Sequence, residues 1–389
     1  MSASRPKCRV LFLAANLGYG GAQRDLLTLM RNFDRSRFTM AVAVIDTTRE
    51  GFIADVPPDV ELIDLKVRRL RYALPGVFRV IRSFRPDVIL SMFISSHIPV
   101  ILLRPLLPKS LRLVGRSINT LSESIKNEPF PRAWTWLMGK VVRRLDLIVF
   151  QSEHTLVDFK RTLGLRKMRS VIVPNPVDVG NVRSMAASEP QPPFEAGCVE
   201  LVAVGRFQPV KGYDLLLSAF AMVNDPRLRL TLVGDGPLMG ALKAQAEALG
   251  VASRVRFPGY ASNPYPYLGR ANAFMMSSRH EGFPNVVLEA LACGTPVIST
   301  PLGGVQELLR QVEGCEVAEA TTAEAIAAAI ERFVSQGPDR RIPESAIREY
   351  DITAVALHDR VEQVLVGPRH GCDVVVADRA FRDAPVWPL

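Results

Sequence analysis

The chain has 389 residues, 48% hydrophobic and 22% charged, with a formal charge of +9. That length suits two or three domains, each with its own core, and that composition excludes a disordered chain. Five scattered cysteines with no C-x-x-C pair argue against a disulfide frame or a zinc site and point to a reducing compartment.

At the N-terminus, Arg5, Lys7 and Arg9 precede Val10-Leu11-Phe12-Leu13-Ala14-Ala15. The run is short for a signal sequence and reads as a first strand. Asn16-Leu17-Gly18-Tyr19-Gly20-Gly21-Ala22-Gln23-Arg24 follows, with a helix expected from about Ala22 to Asn32. Strand, glycine loop and helix open many nucleotide folds, but the spacing is not G-x-G-x-x-G and a plain turn is the alternative. Strands are expected at Phe38–Ile45, Glu61–Leu65, Val88–Ser91, Arg112–Gly115 and Leu145–Phe150, and Val171–Asp178 closes this half. The longest apolar stretch, Val88 to Leu103, is broken by Ser95, Ser96, His97 and Pro99, short of the ~18 uninterrupted residues of a membrane span. His97 is expected on a loop after its strand.

Residues 180–197 lose periodicity and collect Ser, Pro and Glu, the composition of a linker. Alternation then restarts with strands at Val199–Val204, Arg229–Val233, Val255–Phe257, Ala273–Met276 and Val297–Ser299. Helices are expected at Tyr213–Val223, Leu238–Leu249 and after Asn285. Continuous apolar strands separated by helices mean parallel sheets covered on both faces. A late helix is expected over about Glu344–Leu365, and 367–389 reads as a tail.

The positive charge invites a nucleic acid, an anionic membrane or a phosphorylated ligand. No nucleic-acid-binding motif appears, so nucleic acid is set aside. Lys66–Tyr72 and Ile101–Leu113 mix cations with apolar residues and are candidates for an anionic membrane surface, with a solvated face as the alternative. The expected location is cytoplasmic, soluble or peripheral on the inner face of the cytoplasmic membrane.

Three stretches carry chemistry. Gly205-Arg206 and Lys211-Gly212 follow a strand, so Arg206 and Lys211 lie at the carboxyl end of a sheet, where a fork and a point charge suit a diphosphate. Glu281-Gly282-Phe283-Pro284-Asn285-Val286-Val287-Leu288-Glu289 places two carboxylates around an expected helix start. Asn285 is a possible cap, and free N–H groups at Val286 and Val287 would make a phosphate seat. Gly234-Asp235-Gly236-Pro237 has turn chemistry. The alternatives are surface cations and an ordinary capped helix.

Together these stretches resemble the retaining GT-B glycosyltransferases of family 4. Glu281 to Glu289 matches its E-x7-E signature, continuing through Ala292-Cys293-Gly294-Thr295-Pro296 and Gly303-Gly304 to Glu307. Gly205-Arg206 with Lys211-Gly212 matches its diphosphate motif, and Gly20-Gly21-Ala22-Gln23-Arg24 its first glycine loop. The resemblance implies two doubly wound Rossmann-like α/β domains facing across a cleft. The expected acceptor domain is 1–178, with a helix at 344–366 returning to it. A linker at 179–197 leads to a nucleotide-sugar domain at 198–343.

It also implies that Arg206, Lys211 and Glu281 carry catalysis. Arg206 and Lys211 would hold the diphosphate, Glu281 the sugar and Glu289 the ribose. Donor contacts would come from Gly20, Gly21, Gly205, Gly234, Pro258, Gly259, Tyr260, Phe283, Pro284, Asn285, Val286 and Val287. On the acceptor side stand His97, Arg116 and Asn119. The implied reaction is retaining transfer of a hexose from a nucleotide-sugar to a polysaccharide or lipid-linked glycan. No metal or other cofactor is expected. The alternatives are a nucleotide-sugar epimerase on the same fold and an inactive nucleotide-sugar-binding protein.

Overall fold

The computed structural model describes residues 7–352, apart from 19, 48–50, 68–71, 93, 119, 127–129 and 189. The described chain divides into two compact units that meet in sequence between Pro176 and Val177.

The first unit holds a seven-stranded sheet: β1 (Cys8–Ala14), β2 (Phe38–Val44), β3 (Glu61–Asp64), β4 (Val88–Met92), β5 (Arg112–Ser117), β6 (Leu147–Phe150) and β7 (Ser170–Ile172). Its order is β3-β2-β1-β4-β5-β6-β7, and the pairings are parallel. From Val10 to Ala14 every residue of β1 is buried, as a central strand covered on both faces must be.

The second unit repeats the design with β8 (Val199–Val204), β9 (Leu228–Val233), β10 (Val255–Gly259), β11 (Ala273–Met276), β12 (Val297–Ser299) and β13 (Glu316–Val317), in the order β10-β9-β8-β11-β12-β13. Its cores are its own. Phe207, Phe220 and Phe333 pack together, and Phe274, Leu288 and Leu291 belong to a second cluster.

In each sheet the winding reverses once, between β1 and β4 and between β8 and β11. At such a reversal, adjacent strands send their following loops to opposite faces, and the carboxyl edge opens into a ligand crevice.

Three segments differ from the sequence expectation. Ile94–Leu103 is a helix rather than a loop, with Pro99 inside it. The stretch expected as linker begins with a helix, Val179–Ala186, capped by Asp178, whose carboxylate accepts from the Asn181 N–H at 2.9 Å. Val179 and Val182 bury in the second unit's core, so this piece is packed. The late helix is a 3₁₀ turn over Glu344–Tyr350, whose Ile347 and Tyr350 are buried with the second unit. Val177 N–H donates to Tyr350 O at 2.9 Å. The rest of that expected helix and the tail lie outside the described residues.

Candidate active site

The winding reversal of the second sheet sends out two loops, Gly205–Gly212 after β8 and Ser277–Pro284 after β11. They are joined at backbone distance. Gly212 has φ +64°, and a Cβ there would lie 2.1 Å from Ser277 O, so only glycine fits both the conformation and the approach. Ser277 Oγ donates to Lys211 O at 2.9 Å, and Arg279 N–H to Val210 O at 2.8 Å. Arg279 Nη1 donates to Pro209 O at 2.6 Å, and the guanidinium forks onto the Asp214 carboxylate at 2.9 and 2.7 Å. Those hydrogen bonds hold the Asp214 carboxyl below its usual range.

This lacing brings two of the sequence candidates together. Lys211 Nζ meets Glu281 Oε1 at 2.6 Å, and Ser278 Oγ donates to the same oxygen at 3.0 Å. The Lys211 side chain is 24% exposed and that of Glu281 18%, so both are sheltered yet reachable. Arg206, on the same loop as Lys211, is exposed. Behind them Tyr213 is buried edge-on against Phe207, with ring centroids 5.0 Å apart. Burial, then the Glu281 charge, pushes the Tyr213 phenol up, so it stays protonated. The arrangement presents two cations and a carboxylate on one sheet edge, a surface able to meet a diphosphate and adjoining hydroxyls.

The Gly234-Asp235-Gly236-Pro237 turn braces the Arg206 loop. A Cβ on Gly234 would stand 2.0 Å from Gly205 O, and Phe207 N–H donates to Asp235 O at 2.9 Å. At the end of β10, Gly259 has φ +86°, and its carbonyl oxygen accepts from the Gly234 N–H at 2.8 Å. Pro258 and Tyr260 beside it are exposed, Tyr260 to 58%.

The helix Asn285–Ala292 starts where the sequence places it, but with a different cap. Pro284 is the N-cap residue, and Asn285 is the first helical position. Val287 N–H donates to Pro284 O at 3.1 Å. Of the two N–H groups expected to be free, at Val286 and Val287, that of Val287 is thus used inside a tightened first turn. Phe283 is buried, its ring stacked on Tyr350 at 6.1 Å. Glu289 is 6% exposed and its Oε1 accepts from the Tyr265 hydroxyl at 3.3 Å. The helix ends at Cys293 with Gly294 at φ +76°. Its last carbonyl, Ala292 O, accepts from Arg183 Nε at 2.9 Å, so the segment first read as a linker supports the site helix.

In the first unit, the loop after β1 is tied by Asn16, whose Oδ1 accepts from Gly18 N–H and from Gln23 Nε2, both at 3.1 Å. Gly20 is the N-cap of the helix Gly21–Asn32, in extended conformation. Phe52 N–H donates to Leu17 O at 2.7 Å, and a Cβ on the preceding Gly51 would stand 2.0 Å from that oxygen.

Two acceptor-side candidates are placed away from any surface. Arg116 is 2% exposed, and its Nη2 donates to Asp25 Oδ2 at 3.2 Å and to Asn175 Oδ1 at 2.9 Å. The end of β5 lies under the first helix, so the guanidinium pins that helix instead of facing solvent. His97 is fully buried, its Nδ1 2.6 Å from Ser91 Oγ. Burial pulls its pKa down to about 3, which leaves a neutral core imidazole. Asn119 lies outside the described residues.

Sequence reasoning missed Asp214, Ser277, Ser278, Arg279 and Tyr265. Ser278 and Arg279 are neighbours of Glu281, which was a usable signal; nothing in the chain linked Asp214 to Arg279.

Residues 188–350 match the family model described as Glycosyl transferases group 1, and residues 19–181 match Glycosyltransferase Family 4. The chain belongs to the group 1 glycosyl transferases. It is 37% identical over 164 residues to the lipopolysaccharide core biosynthesis glycosyltransferase LpsE of Rhizobium meliloti, covering 42% of this chain and 47% of that protein. It is 29% identical over 174 residues to a Campylobacter jejuni enzyme, N-acetylgalactosamine-N,N'-diacetylbacillosaminyl-diphospho-undecaprenol 4-alpha-N-acetylgalactosaminyltransferase, covering 44% and 46%. The chain thus spans about half the length of the curated relatives it matches. Among solved structures, the Anabaena protein HepE in complex with UDP-glucose superposes with a TM-score of 0.74 at 20% identity, covering 92% of this chain and 99% of that one. The fold of this group 1 member is GT-B, two doubly wound α/β units.

Proposed function

We propose that this chain transfers a hexose, with retention of configuration, from a nucleoside diphosphate sugar to a polysaccharide or lipid-linked glycan. The observation that carries the proposal is the Lys211–Glu281 pair beside Arg206, on two cross-laced loops at the winding reversal of the second sheet. Departure of a nucleoside diphosphate leaves negative charge on phosphate oxygens, and fixed cations aimed at that charge stabilise the transition state. Arg206 and Lys211 supply this charge in place of a metal ion. Glu281, oriented by Ser278, accepts hydrogen bonds from the sugar hydroxyls, and Glu289, oriented by Tyr265, from the ribose diol. The glycan acceptor is proposed by likeness to LpsE and to the Campylobacter enzyme, whose names specify a lipopolysaccharide core and a diphospho-undecaprenol acceptor.

The test is turnover of a panel of UDP-, GDP- and ADP-sugars with and without an undecaprenyl-linked glycan acceptor, in the presence of EDTA. One donor should give an acceptor-dependent product that keeps the donor's anomeric configuration, and EDTA should not slow it. Lys211→Ala and Glu281→Gln should each lower kcat by roughly 10²–10³-fold, the cost of removing one such stabilising group. Isomerised sugar formed from donor alone would overturn the reading in favour of an epimerase.

A further inference from the structure

The helix Pro131–Val141 has two unlike faces. Met138 and Val142 are buried, and Trp134 and Val141 pack against the first unit's core. The opposite stripe, at helical spacing, runs through Phe130, Ala133, Trp136, Leu137, Lys140 and Arg144, all exposed. Phe130 is 77% exposed, Trp136 62% and Leu137 51%. Isolated exposed apolar residues are ordinary, whereas three large ones on one stripe mark an interaction surface.

Charge identifies the partner. From Pro131 to Leu145 there are four cations, Arg132, Lys140, Arg143 and Arg144, and no acidic residue. All four are exposed. Lys140 Nζ sits 3.9 Å above the Trp136 ring, so the apolar and cationic parts form one patch. A protein partner would need an apolar groove for the ring and Leu137 together with carboxylates placed to meet each of the cations. An anionic lipid surface satisfies both, because indole sits at the headgroup level and Lys and Arg face the phosphates. Among the described residues no helix is long and apolar enough to cross a membrane.

From this geometry we infer that the Phe130–Trp136–Leu137 stripe with its four cations seats the first unit on an anionic membrane surface. It is a different surface from Lys66–Tyr72 and Ile101–Leu113. In the latter, Arg104 is occupied by Leu111 O at 2.8 Å and by Asp146; residues 68–71 of the former lie outside the described residues. The inference is independent of the transferase reading, since lipid binding needs neither donor nor acceptor.

The experiment is co-sedimentation of the full chain with vesicles of phosphatidylcholine alone or mixed with phosphatidylglycerol. Binding should require phosphatidylglycerol and weaken with added salt. F130S/W136S/L137S and, separately, R132E/K140E/R143E/R144E should each lower it at least about tenfold. Both sets lie on the surface, so a melting temperature equal to the parent's is expected and is measured alongside. In W134F/W387F, which leaves Trp136 as the only tryptophan, emission should shift to the blue on adding anionic vesicles. Undiminished sedimentation of both variants, or Trp136 emission indifferent to lipid, overturns the inference. So does a parent that forms dimers which the serine variant splits, with no affinity for either vesicle, because the stripe is then a contact between copies.

Discussion

Asp25 shows how little room a buried charge has. It lies on the first helix, 1% exposed, with Arg116 its ion partner at 3.2 Å. Among the described residues its Oδ1 and the Arg116 Nε have no hydrogen-bond partner. Burial raises the Asp25 pKa from 3.8 to about 6 against the opposing pull of Arg116, so here desolvation exceeds attraction. The folded chain therefore holds this proton more tightly than the unfolded chain. The associated stability is fully present below pH 3.8 and is lost as the pH rises through about 6. Asp25→Asn cannot titrate. The melting temperature of the parent minus that of the variant should fall from pH 4 to pH 6 and level off above. A flat difference across that window would show that the carboxyl titrates normally.

Elements cooperate at the second unit's sheet edge through the Arg279–Asp214 fork. One loop carries the cations and the other Glu281, and contacts of short reach fix their spacing: Ser277 to the Lys211 carbonyl, Arg279 through backbone and side chain, the fork to Asp214 just beyond the first loop, and Lys211 to Glu281. Asp214 and Arg279 touch no proposed reacting atom, so they are positioning residues. Loosening the fork by Asp214→Asn or Arg279→Ala should lower kcat by about ten- to a hundredfold, the scale expected for a misplacement of roughly 1 Å. The exchanged pair D214R/R279D should recover part of the loss. A purely structural role would instead lower the melting temperature while leaving kcat per folded molecule unchanged, and that outcome would refute the positioning role. Legibility in the sequence follows the same division. Lys211-Gly212 and Glu281–Glu289 are visible because their residue types are chemically constrained within one loop. The Asp214–Arg279 fork is invisible because its partners are distant in sequence and each alone is an ordinary surface charge. His97 is misplaced because the polar residues of Ile94–Leu103, Ser95, Ser96 and His97, are consecutive rather than spaced at a helical period, and Pro99 follows them. The opposite failure occurred at Val179–Ala186, where Val179 and Val182 do mark a face, but eight residues are too few to stand out beside a Pro-rich stretch.

At the scale of the molecule, the two sheets have separate cores, and the proposed donor-binding carboxylates and cations all belong to the second. That separation has a measurable consequence. Ligands stabilise the unit whose folded state they bind, by RT ln(1 + [L]/Kd). At a hundredfold excess over Kd this is about 2.7 kcal/mol, or roughly 5–10 °C for a unit of this size. The three tryptophans are Trp134, Trp136 and Trp387, so none lies between Val177 and Ala354, the span of the second unit. In a Trp387→Phe chain, tryptophan emission follows unfolding of the first unit, while calorimetry follows both. Adding the matching nucleoside diphosphate should move a calorimetric transition upward and leave the tryptophan transition in place, and Lys211→Ala should abolish the shift. If the tryptophan transition moves by the same amount, the units unfold as one cooperative body or the nucleotide binds the first. The Lys211→Ala chain separates these cases: in the former the common shift disappears with it, in the latter it persists.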